Sequence, residues 1–130
     1  METTKLYALA ENRGITVDRC ALPRNKSISV NLNDQLFVAL DLALTGIDEK
    51  VCLAHELGHC ESGSFYNIYS PFDIREKHER RANIWAIKKL IPRYRFEKAI
   101  RNGYDNIYDL AEYFSVSCDF MQKAVEYYNN

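Results

Sequence analysis

Residues 52–60 read CLAHELGHC and set His55, Glu56 and His59 in the spacing H-E-x-x-H. Histidines four apart share one face of a helix, with Cβ atoms about 5–6 Å apart, so they can hold one metal ion between them. Neutral imidazole nitrogen suits Zn²⁺ at about 2.0–2.1 Å. Glu56 follows the first histidine, where a general base for an activated water belongs. Two histidines leave such a site incomplete, because a catalytic zinc takes three protein ligands and keeps a further position open. Core histidines satisfied by hydrogen bonds, or a relic site without catalysis, would need no third ligand.

The surroundings place the motif on a helix. Thr45 and Asp48 read as a capping box opening a helix that runs to about Ser62, where Gly63 is a natural stop. Before it lie a first helix over 2–12 and two β-rich runs, 15–22 and 27–40. The second run reads as a hairpin turning at Asn31–Asp34. Ser27, Ser29 and Asn31 alternate there with Ile28, Val30 and Leu32, the pattern of a half-buried strand. After the motif, Ser70, Pro71 and Asp73 read as N-cap, first helical residue and capping-box acid of a helix to Ile91. Pro92 ends it and starts a short helix to Asn102, closed by Gly103. Two further helices fit 105–114 and 117–128, with a break at Ser115–Ser117. The expected fold is α+β and mostly helical: one domain over 1–130, with a small N-terminal sheet packed on the motif helix and a helical part over about 93–130.

Glu79 is the chosen third ligand. It lies on the next long helix, far enough beyond His59 for the chain to turn and pack back. Ala82 and Ala86 follow at i+3 and i+7, and small residues let two helices approach closely. Asn83, at i+4, could hydrogen-bond a ligating histidine. The plain alternative for Glu79 is a surface carboxylate paired with a cation such as Arg75. Glu76, one turn earlier on nearly the same face, is the main rival. Cys60 points about 100° away from His59, and Cys52 is expected to pack under the site. Tyr66, Tyr69 and His78 are candidate oxyanion stabilisers without a ranking, although a surface position suits His78 best. An edge strand within 28–40 could hold an extended substrate by strand addition.

Composition narrows the classes. The net charge is −1, which does not suggest a dedicated nucleic-acid binder. The balance is uneven, with ten basic residues against three acidic ones from Arg75 to Arg101, a solvated helix face or a surface that steers an acidic partner. The tail has the rhythm of a helix-turn-helix, but residues 105–130 carry five acids and one lysine and would repel phosphates. That tail is expected to shape a substrate site. The start of the chain lacks the apolar core of a secretory signal, and Leu36–Leu44 is too short to span a bilayer. A cytoplasmic protein with four free thiols follows as the expectation.

The stretch AHELGH followed by HERRANIWAIKKLIP resembles the ImmA/IrrE family of bacterial and phage metallopeptidases. The pattern there is an HExxH helix, then Glu-x-x-Ala-Asn/Asp-x-aromatic-Ala, then an apolar stretch ending in Pro. Glu79, Ala82, Asn83, Trp85, Ala86 and Pro92 fill those positions here, whereas Arg81 stands where a second Glu is frequent. The resemblance implies a compact, mostly helical zincin-like domain, Zn²⁺ as cofactor, and Glu79 as third ligand. It also implies the activity: cleavage of a helix-turn-helix type repressor, acting as an antirepressor for prophage or other mobile-element genes. A metal-stabilised module that sequesters a repressor without cutting it is the alternative. No attached DNA-binding domain is seen, so recruitment is expected to use the peptidase domain or an adaptor.

Overall fold

The computed structural model describes residues 1–67 and 69–130. The order is α1 (Thr3–Asn12), β1 (Thr16–Cys20), β2 (Ser27–Leu32), β3 (Gln35–Asp41), α2 (Gly46–Ser62), α3 (Phe72–Leu90), α4 (Arg93–Arg101), α5 (Ile107–Phe114) and α6 (Cys118–Tyr128). This is the mostly helical α+β arrangement that the sequence predicts.

β3 is the centre of a three-stranded sheet, parallel to β1 and antiparallel to β2. Asn33 and Asp34 make the hairpin turn with φ of +50° and +68°, as a tight two-residue connection demands. β2 therefore keeps one edge free, and the expected edge strand is β2 alone, since β3 is paired on both sides.

The register of β2 assigns its two faces. Ser27, Ser29 and Asn31 stand opposite Leu40, Val38 and Leu36, so its polar residues share the face on which Val38 and Leu40 are buried. Val30 and Leu32 remain 39 % and 59 % exposed. Alternation defined two faces but not which one turns inward. The inward face meets the polar groove over the motif helix, where hydroxyls are useful and methyl groups are not.

Two expected caps also differ. Thr45 is the N-cap residue of α2, but its hydroxyl makes no capping bond. Gly46 enters the helix at φ +56°, which turns the first N–H groups away from the usual geometry. α3 begins at Phe72 with Pro71 as its N-cap and no side-chain cap bond. The Ser70 hydroxyl instead accepts from the Asn67 N–H in the preceding turn. Further along, Asn106 caps α5 and Ser117 caps α6 through side-chain oxygens.

α2 runs through the middle of the core, with Leu53, Ala54 and Leu57 fully buried. Its closest neighbour is α3, which presents Ala82 and Ala86, also fully buried. Gly58, between the two histidines, completes the crossing. A Cβ on Gly58 would lie 2.4 Å from the Ala82 carbonyl oxygen and 3.0 Å from its Cα. Backbone lies on both sides of that clash, so nothing flexible can move away. Gly58→Ala is therefore expected to cost about 1–3 kcal/mol through overpacking, despite alanine's better helix propensity of about 1 kcal/mol. A lower urea midpoint at unchanged slope is the result to look for; an unchanged or higher midpoint would contradict this packing.

Candidate metal centre

The helix pair sets the site. His55 and His59 project from α2 and Glu79 from α3, and one ligand atom from each lies within 4.8 Å of the others. His55 Nε2 is 2.8 Å from Glu79 Oε2, and His59 Nε2 is 3.1 Å from Oε1. His59 is buried, while His55 and Glu79 are half-buried.

The outer ring nitrogens decide what the inner ones can do. His55 Nδ1 lies 2.8 Å from Asn83 Oδ1, and His59 Nδ1 faces the Ser64 carbonyl. Both partners are acceptors, so both Nδ1 atoms carry hydrogen and donate. That leaves the two Nε2 lone pairs turned toward a carboxylate, which has only lone pairs to offer. A shared proton or a cation must sit among them. Two imidazole nitrogens and one carboxylate are the donor set of a catalytic zinc site. Tetrahedral bonds of about 2.0–2.1 Å would set ligand atoms about 3.3 Å apart, close to the 2.8 and 3.1 Å between the two imidazoles and Glu79. The residues fit the ion.

Electrostatics follow the same logic. Burial alone would lift the Glu79 carboxyl, but the His55 and His59 imidazoles and the Tyr66 hydroxyl beside it outweigh burial and hold the group well below the usual carboxylate range. Burial alone would lower the His59 imidazole. The Glu79 carboxylate and the Ser64 carbonyl prevail, and its pKa rises above the ordinary 6.5. In the metal-free protein that proton occupies the place of an ion, and the ion binds the neutral form. Metal affinity is thus expected to rise with pH through the elevated His59 pKa, approaching about tenfold per unit below it. A chelator competition between about pH 5.5 and 8 reads this; a flat profile would exclude proton displacement.

Asn83 lies against His55, where its Oδ1 accepts from Nδ1 and sets the tautomer of the ring. Asn83→Ala is expected to lower metal affinity by about 10–100-fold, read by the same competition; an affinity equal to wild type would deny Asn83 that role.

Glu56 is buried and flanks the cluster. Its Oε2 accepts from the Ser27 hydroxyl at 2.6 Å, leaving Oε1 without a hydrogen-bond partner among the described residues. Ser27 had no signal in sequence, since it lies on β2, far from the motif. The Ser64 carbonyl had a weak one. Gly63 adopts φ +64° as the C-cap of α2, and the Ser64 N–H then bonds back to His59 O. A glycine four residues past the second histidine announces such a turn.

The remaining candidates separate. The Tyr66 hydroxyl donates to Glu79 Oε1 at 2.6 Å. Burial first, then that carboxylate, pushes its pKa up to about 12, so Tyr66 stays a hydrogen-bond donor. Tyr69 is 88 % exposed and is not brought into the site. His78 is half-buried rather than a surface residue, its ring stacked on Tyr66 at 6.3 Å. Glu76 is exposed and outside the ligand cluster. Arg75 forms no ion pair with Glu79 among the described residues. The Cys60 thiol, pushed up to about 12 by burial and then by Glu56 and Glu61, stays neutral. The Cys52 thiol is also raised, by burial above all, and neither joins the cluster. All four cysteines are free.

Two depressions flank the ligands. One, of about 380 Å³, lies on the His59 side, walled by Glu56, Tyr66 and the start of β2. The other, of about 310 Å³, lies on the His55 side, against Ser117, Phe120 and Lys123 at the start of α6. Ser27 and Glu79 line both, so the two depressions adjoin at the ligands, and the helical tail supplies part of the wall of the second. Among the described residues no helix is long and apolar enough to cross a membrane.

Compared with known families, residues 10–126 match the model of the IrrE N-terminal-like domain, Peptidase_M78. The match takes in the motif helix, Glu79, Asn83 and the walls of the groove. Compared with curated proteins, the chain finds no match.

Proposed function

The chain belongs to the IrrE N-terminal-like domain family and is a metallopeptidase-type domain; from that premise we propose that it is a zinc-dependent endopeptidase that cleaves a helix-turn-helix type repressor in the cytoplasm. The observation that carries the hydrolytic part is the placement of Glu56. A site built only to hold a metal needs no free carboxylate oxygen beside it. The repressor, and with it the release of phage or mobile-element genes, rests on the likeness to ImmA/IrrE peptidases.

A zinc ion bound by His55, His59 and Glu79 supplies a Lewis acid and makes water a nucleophile near neutral pH. The chain does the rest. Glu56, steadied through Oε2 by Ser27, takes the proton of the attacking water on Oε1 and returns it to the leaving amine. The Tyr66 hydroxyl, now on Glu79, is within the site to donate to a developing oxyanion. The open edge of β2 offers backbone donors and acceptors to an extended peptide laid along the groove.

The test pairs the zinc-loaded protein with the repressor encoded nearest to it and reads intact masses. Two fragments whose masses sum to the repressor plus one water, absent with Glu56→Gln, are expected. An intact repressor held in a stable complex by both proteins would replace proteolysis with sequestration.

A further inference from the structure

The His59 side of the groove holds a cation with no work in the chemistry above. Arg75 stands four residues before Glu79 on α3, hence on the same face, and lines this depression beside Tyr66. Its guanidinium forms no ion pair or hydrogen bond among the described residues. Ser29 from β2, together with Asn25 and Asn67, lines the same wall, so hydroxyl and amide donors accompany the charge. The carboxylates of this wall are Glu79, which belongs to the ligand cluster, and Glu56, which accepts from the Ser27 hydroxyl. A bound dication offsets them and leaves the guanidinium as unbalanced positive charge.

Resting on the endopeptidase reading, we propose that this end of the groove is a carboxylate subsite, in which Arg75 binds an acidic side chain of the substrate. One helical turn separates Arg75 from Glu79, about 6 Å of rise. An extended peptide advances about 3.3 Å per residue. The acidic residue therefore sits about two residues from the scissile bond. Guanidinium pairs with carboxylate through two parallel hydrogen bonds, which a lysine or an amide on the substrate cannot offer.

The experiment uses zinc-loaded full-length Glu56→Gln, so that peptides bind without being cut. The probes are fluorescein-labelled decapeptides, amidated at the C-terminus, identical except for Glu, Gln or Lys at one position scanned along the chain. The Glu peptides are expected to bind about tenfold tighter than the Gln peptides at one position. Adding Arg75→Ala should erase that preference, and Arg75→Glu should transfer it to Lys. Arg75 is exposed, and zinc content verifies that each variant is folded. Equal binding by all three series, a preference that survives Arg75→Ala, or no binding at all would overturn the subsite. A free-acid version of the Gln peptide, run beside the amidated set, that binds as tightly as the Glu peptide would also overturn it, in favour of recognition of a chain end. Wild-type protein on the same peptides separates the two readings. Cutting without acidic preference removes only the subsite. Arg75-dependent binding without cutting keeps the subsite and removes the endopeptidase.

Discussion

Glu56→Gln is expected to lower the rate of peptide-bond cleavage by about 10²–10⁴-fold, the usual contribution of a positioned general base, with metal content unchanged. The substitution conserves shape. The Ser27 hydroxyl, which donates to Oε2 at 2.6 Å, finds an amide oxygen in its place, so the buried side chain keeps its partner. None of the three ligand atoms is touched. What disappears is the ability to take a proton. Zinc measured by elemental analysis and rate measured on the repressor separate the two roles; equal rates for variant and wild type would remove Glu56 from the chemistry.

Glu79→Ala is expected to empty the site. The carboxylate contributes one of the three ligand atoms and faces both Nε2 atoms, at 2.8 and 3.1 Å. Its loss leaves two histidines and should weaken metal binding by more than about 100-fold, beyond what removing an outer partner such as Asn83 costs. Glu76→Ala, one turn away and outside the cluster, should bind metal like wild type. Isothermal titration on the two variants reads this contrast; full binding by Glu79→Ala would shift the third ligand elsewhere.

The parts of this site that lie on single helices were legible in the sequence. His55 and His59 reveal themselves because a helix repeats its face every four residues. Ala82 and Ala86 mark a close crossing because only small side chains permit one. Glu79 and Asn83 then follow from being on that crossing face. What stayed hidden depends on tertiary register. Ser27 reaches Glu56 only because β2 pairs with β3 in a register that turns its serines inward, and alternation alone does not say which face turns inward. Thr45 and Ser70 looked like caps because local composition cannot foresee Gly46 at φ +56° or a hydroxyl already engaged by Asn67. Gly58 was visible as a residue but not as a necessity until Ala82 came opposite it. Tyr66 and Tyr69 were indistinguishable in a tyrosine-rich loop; the path of that loop puts one hydroxyl on Glu79 and the other ring in solvent.

The measurement that bears most directly on the central claim is anomalous diffraction at the zinc absorption edge from crystals of the zinc-loaded protein. One peak is expected, bonded to His55 Nε2, His59 Nε2 and a Glu79 carboxylate oxygen at about 2.0–2.2 Å, with Glu56 unbonded beside it. An ion bound by Glu56, or a peak resting on other residues with the His55–His59–Glu79 cluster empty, would contradict the assignment of ligands and base together.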